Sequence, residues 1–209
     1  MQGYLGDCWL LAALAAISEH DQLMKIVLPE DQSFGYDYCG AFSVKIWQYK
    51  QWVEVIVDDR LPCIDGELVY LHSATKNEFW SAIIEKVNYF FEICIYLLRP
   101  FEYYKPFKAY AKLNGSYEAL EGGATSEALS DFTSGVSESF NLGDYGTLGS
   151  KIPKDLFRTL STSFQKGAVG GASIEMGGAT FGDEVGNGLL AGHSYTLRRA
   201  TKVISVAAT

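Results

Sequence analysis

The stretch MQGYLGDCWLLAALAAIS, Met1 to Ser18, sets Cys8 between a glycine-punctuated approach and a run of Leu and Ala that carries no charge. Leu and Ala are strong helix formers, so a helix is expected to begin near Cys8, buried through Trp9, Leu10, Ala12, Ala13, Leu14, Ala16 and Ile17. Two readings of Cys8 are open. Free cysteine is among the most often buried residues and packs as a small hydrophobe. A helix N-terminus is also where exposed N–H groups and the positive dipole end stabilise a thiolate.

Outward from this helix, Ala41 to Asp59 alternates, with Phe42, Val44 and Ile46 followed by Val53, Val55 and Val57, and reads as a hairpin turning at YKQ. NEFWSAIIEK, Asn77 to Lys86, reads as a short amphipathic helix capped at Asn77, with Phe79, Trp80, Ile83 and Ile84 on its apolar side. Paired glycines at 122 and 123 mark the best candidate for a hinge. IPKDLFRTLSTSFQKG begins a helix at Pro153, groups Leu156, Phe157, Leu160 and Phe164 on one face, and stops at Gly167. Beyond Ala168, GHSYTL and KVISV read as strands. Helix-rich sequence followed by strand-rich sequence, without internal repeat, predicts an α+β protein of two lobes, 1–122 and 123–209.

Composition narrows the function classes. The 209 residues are 48% hydrophobic and 20% charged, with a formal net charge of -8. That balance lacks the basic footprint of a nucleic-acid binder. The longest charge-free run, Cys8 to Ser18, is too short to span a bilayer, so stable membrane insertion is not expected. No secretory signal pattern precedes it, and a cytoplasmic location is expected. Cys8, Cys39, Cys63 and Cys94 form no CxxC pair and read as reduced thiols.

The nucleophile reading of Cys8 draws support from its neighbours. Gln2 can aim side-chain N–H donors at an oxyanion while the Cys8 backbone N–H supplies another. In GDCW, Gly6, Cys8 and Trp9 match the papain-type nucleophile signature, with Asp7 as the exception. Of three histidines, His20, His72 and His193, the last follows Gly192 in the strand-rich half and is the candidate base.

At this point the sequence resembles a known family. QGYLGDCWLLAAL, WQYKQWVEVIVDDRLPCIDGELVYLHSATKNEFWSAIIEK, AYAKLNGSYEALEGGATSEALSDFTSGVSE and GHSYTL are similar, in order, to blocks of the calpain cysteine protease core. The resemblance implies a papain-like fold with its active site in the cleft between two lobes. It also implies a calcium-dependent endopeptidase acting on protein substrates, with Cys8 as nucleophile, His193 as base and Gln2 as oxyanion donor. Glu78 of NEFW matches an acidic calcium ligand of the first lobe, so Ca2+ is the expected cofactor.

Three departures accompany the resemblance. The family's orienting asparagine follows its histidine in an NPWG-type motif, which Asn141 and Asn187 do not match, so the second lobe is expected to be incomplete. Core sequence upstream of Gln2, with part of a calcium site, is expected to be absent as well. Residues 87–108, rich in Phe, Tyr, Ile and Leu, interrupt a helix that the family continues from EK into AYAKLNG. A family-specific insertion, a membrane-seeking or partner-binding segment and a translated intron compete there, and valine codons beginning GT with a lysine codon ending AG favour the intron. A non-catalytic binding module or degenerate fragment is the alternative to an active protease.

Overall fold

The computed structural model describes residues 1–75, 77–87, 120–142 and 153–203. Helix α1, Cys8–Ile17, lies at the centre, as a helix that is apolar on all sides must. Leu10, Ala13, Leu14 and Ile17 enter the core cluster. Ser18 closes the helix by donating its N–H to Leu14 O at 2.9 Å. Helix α2, Asp21–Val27, follows directly and contributes the buried Val27.

Strands β1, Ala41–Gln48, and β2, Gln51–Asp58, form an antiparallel hairpin that pairs Val44 with Val55 and Ile46 with Val53. The buried Val44, Ile46 and Val57 give it the apolar face expected from the alternation. Its turn is two residues long: Tyr49 and Lys50 both take positive φ, 52° and 63°, and Gln51 is already in the strand. Trp47 and Trp52 clamp that end, edge to face with ring centroids 5.6 Å apart. Short strands β3, Cys63–Ile64, and β4, Glu67–Leu68, pair next.

Residues 80–87 form helix α3, which starts two residues later than a cap at Asn77 would place it. The Glu78 N–H donates to Thr75 O at 3.1 Å, so this segment turns locally, and the first helical bond runs from Ile83 N–H to Phe79 O. Every residue from Ser81 to Val87 is buried, Glu85 and Lys86 included, so the helix is not the amphipathic surface element its spacing suggests. Val87 alone of residues 87–108 is described; the insertion and intron readings otherwise fall outside the described residues.

Helix α4, Thr125–Thr133, presses Ala128 and Phe132 into the core. Gln48 Nε2 donates to Asp131 Oδ1 at 2.6 Å and joins α4 to the hairpin. Of the paired glycines before it, Gly122 takes φ +79° and donates its N–H to Gly6 O at 3.1 Å, while Gly123 is docked. A Cβ on Gly123 would stand 2.5 Å from the Trp9 indole, so only glycine permits this approach, and Trp9 Nε1 donates to Leu120 O at 2.9 Å.

Helix α5, Leu156–Gln165, starts after its cap Asp155 and not at Pro153, since residues 154–155 form a turn first. It stops short of the left-handed Gly167 as expected; it buries none of its residues fully, and Phe157 of its apolar face is exposed. The remaining strands are β5, Gly170–Ser173, β6, Glu184–Gly186, β7, Leu189–Leu190, and β8, Ser194–Leu197. Antiparallel pairing joins β5 with β8 and β6 with β7. Thr196 Oγ1 donates to Ala12 O at 2.8 Å and fastens β8 to α1. The strand read in KVISV does not form at Lys202 or Val203, and its remainder lies outside the described residues. The architecture is mixed α and β.

Candidate active site

Cys8 is the first residue of α1, where the N–H groups of the opening turn have no partner within the helix. Its side chain is only 7% exposed. The thiol donates to the Gly192 carbonyl at 3.9 Å, across 184 positions of sequence. His193, the next residue, is therefore carried to the Cys8 end of α1 by the connection from β7 to β8.

That connection is tightly determined. Gly192 has φ +71°, and a Cβ there would stand 2.7 Å from the Phe181 ring, so both conformation and space demand glycine. Gly192 N–H donates to Ile174 O at 2.9 Å, and Ile174 N–H donates to His193 O at 3.0 Å. The imidazole packs edge on to Tyr195 with centroids 5.1 Å apart. Tyr195 is itself held by a bond from Leu190 N–H to its hydroxyl, 2.8 Å long. Among the described residues no hydrogen bond reaches the His193 ring nitrogens, and the Tyr195 ring is the aromatic contact that orients the imidazole.

Gln2 lies in the loop leading to α1, and its Nε2 donates to Leu5 O at 2.6 Å. An amide nitrogen carries two N–H groups, and this bond engages one. The loop is fastened at both ends: His72 N–H donates to Met1 O at 3.1 Å and Tyr4 N–H to Val69 O at 3.2 Å. The other histidines have other tasks. His20 caps the start of α2 through its carbonyl, and His72 Nδ1 lies 2.9 Å from Tyr70 O.

Glu78 is bound to a neighbouring hydroxyl. Its Oε2 accepts the Ser73 hydroxyl at 2.6 Å, and no group of three His, Cys, Asp or Glu suited to a metal occurs among the described residues. Calcium takes six or more oxygens, so the described residues do not by themselves fit the expected site. A cleft of about 270 Å³ lined by Asp31, Tyr38, Cys39, Phe42 and Ile56 shares no residue with the Cys8 to Gly192 contact.

Sequence reasoning missed two features around the thiol. Asp7 and Glu85 are fully buried and face one another directly before Cys8, and burial raises both carboxyls. Lys86, beside them, turns away: its Nζ donates to Asp58 Oδ1 at 2.7 Å and to the carbonyls of Asp58 and Arg60. This bond holds the Asp58 carboxyl below its usual range. A charged pair inside the apolar run of α3 is the signal that was available.

The sequence profile described as calpain family cysteine protease matches residues 1–89 and 102–208. The chain belongs to the calpain family of cysteine proteases. It is 43% identical over 205 residues to the Calpain-2 catalytic subunit of Bos taurus, covering 98% of this chain and 25% of that protein. It is 44% identical over 197 residues to Calpain clp-1 of Caenorhabditis elegans, covering 94% and 22%, and 42% identical over 198 residues to Calpain-B of Drosophila melanogaster, covering 95% and 18%. The calpain chain thus spans a quarter or less of the length of these relatives. The calpain profile is interrupted over 90–101, inside the block 87–108.

Proposed function

We propose that this calpain-type core is a papain-like, two-lobed endopeptidase, with lobes 1–122 and 123–209, that cleaves cytoplasmic proteins in response to calcium. The observation that carries the reading is the Cys8 thiol at the start of α1 set against the residue before His193. The Cys8 thiolate attacks the peptide carbonyl carbon, and the developing oxyanion is met by the Cys8 N–H and the Gln2 amide. The imidazolium of His193 protonates the leaving amine, and the thioester left on Cys8 is hydrolysed by water that gives its proton to His193. Calcium enters no step of this chemistry, and Glu78 is its one proposed contact.

Mass-spectrometric mapping of limiting iodoacetamide tests the central claim. Cys39 and Cys63 are exposed whereas Cys8 is buried, so labelling governed by access alone marks the first two. An activated thiolate reverses that order. The expected result is Cys8 labelled first, and equal or faster labelling of Cys39 would favour a non-catalytic module. In the protease that carries this core, Gln2→Ala is expected to lower kcat by about 10²–10³ with a smaller change in KM, as loss of one oxyanion donor does. A change confined to KM would remove Gln2 from that role.

A further inference from the structure

Two carboxyl groups beneath the start of α1 have no part in the chemistry just described. Asp7 is 0% exposed and Glu85 is 2% exposed, and the two carboxyls are close enough that Asp7 raises Glu85 and Glu85 lowers Asp7. Both Glu85 oxygens accept the Leu71 N–H at 3.2 Å, whereas neither Asp7 oxygen receives a donor from the described backbone or side chains. Two ionised carboxylates buried in contact repel each other and have lost hydration. One proton between them turns the repulsion into a hydrogen bond.

Among the described residues the neighbouring charged groups are directed elsewhere. Lys86, on the same helix, is directed to Asp58 and Arg60. From the loop before α1, the Met1 ammonium donates to His72 O at 2.5 Å, and burial outweighs its lowering pull on Asp7. From the segment around Leu71, His72 places Nδ1 at Tyr70 O. From the segment before α4, Glu121 lies against Gly6 and is itself acidic. Cys8 is the titratable group on α1 nearest in sequence.

The pair sits where two supports of the site meet. The Asp7 carbonyl accepts Leu10 N–H and Leu11 N–H at 2.9 and 3.1 Å and so closes the first turn behind Cys8. Leu71, held by Glu85, belongs to the segment that fastens Met1 and Tyr4 on either side of Gln2. We propose that Asp7 and Glu85 share one proton, and that this buried acid pair is a positioning element that fixes the Cys8 end of α1 against the Gln2 loop. The positioning role rests on Cys8 as nucleophile and Gln2 as oxyanion donor; the shared proton does not.

Burial is the main cause that pushes Glu85 from an ordinary 4.5 up to about 9, with the Asp7 carboxyl adding to it. The sign follows from linkage. The folded chain keeps a proton that the unfolded chain releases near 4.5, so this contribution is complete below that pH and is lost as pH rises to about 9.

Thermal unfolding and Cys8 alkylation of the 209-residue chain, with Glu85→Gln and Glu85→Ala, test both halves. Glu85→Gln keeps an acceptor for Leu71 N–H and provides a permanent N–H for Asp7. It is expected to unfold with the wild type near pH 5 and at progressively higher temperature than the wild type toward about pH 9. A constant difference between the two across that range overturns the shared proton.

Near pH 6, Glu85→Gln is expected to alkylate at Cys8 within about threefold of the wild type, and Glu85→Ala to differ by about tenfold or more, with Cys39 unchanged. Wild-type behaviour of Glu85→Ala overturns the positioning role. Should Glu85→Ala not fold, the ratio of Cys8 to Cys39 labelling in wild type and Glu85→Gln decides instead: divergence toward alkaline pH supports the role and parallel profiles overturn it. An unreactive wild-type Cys8 would strike the protease reading, while the unfolding comparison still decides the proton.

Discussion

Cys8→Ser in the calpain that carries this core is expected to reduce cleavage of an unfolded protein such as casein by at least ~10³-fold, with the fold intact. The hydroxyl differs little in size from the thiol, but it is far less acidic and gains little from the start of α1. His193→Ala is expected to cost a similar factor, and the double substitution little more than either alone, as for a nucleophile and base that act as a unit. Circular dichroism of each variant separates lost chemistry from lost structure. Folded Cys8→Ser protein that retains cleavage within about tenfold of wild type would remove Cys8 as the nucleophile.

The largest expected effect on stability belongs to Phe132→Ala. Phe132 is 0% exposed, on the face of α4 that enters the common core. Truncating a fully buried phenylalanine removes its transfer energy and leaves a cavity, together about 3–5 kcal/mol. Domains of this size are stable by only about 5–15 kcal/mol, so the variant is expected to sit near the edge of folding. Urea unfolding measures it directly. A loss under about 1 kcal/mol would show that α4 closes over the gap, which its bond from Gln48 to Asp131 and its contact with α1 both resist.

The elements that could be read in advance were those whose pattern answers to one dominant force. The uncharged Leu and Ala run became the central α1, and the alternation after Ala41 became the hairpin, because burial alone dictates both periodicities. Asn77 misled because a cap competes with local turns, and the Thr75 carbonyl took the Glu78 N–H first. Glu85 and Lys86 misled because charge in a helix ordinarily means solvent, whereas here each is buried with partners distant in sequence. For the site, Cys8 and Gln2 stood within one short stretch. No periodicity links Cys8 to His193; the resemblance supplied that pairing, and the contact with Gly192 is visible only in three dimensions.

A thiol mounted on the end of the most enclosed helix has a consequence for how the protein ages. Surface elements open and reclose many times without global unfolding, but α1 is hemmed in by α2, α4, β5 and β8. Amide protons of its last turn, around Leu14 and Ile17, are expected to exchange with solvent only when the whole core opens. Oxidants too large to reach Cys8 in the native state therefore modify it at the rate of global unfolding. Shelf life of the Cys8 thiol is then a direct gauge of kinetic stability, and a core substitution distant in sequence, Phe132→Ala for one, should shorten it.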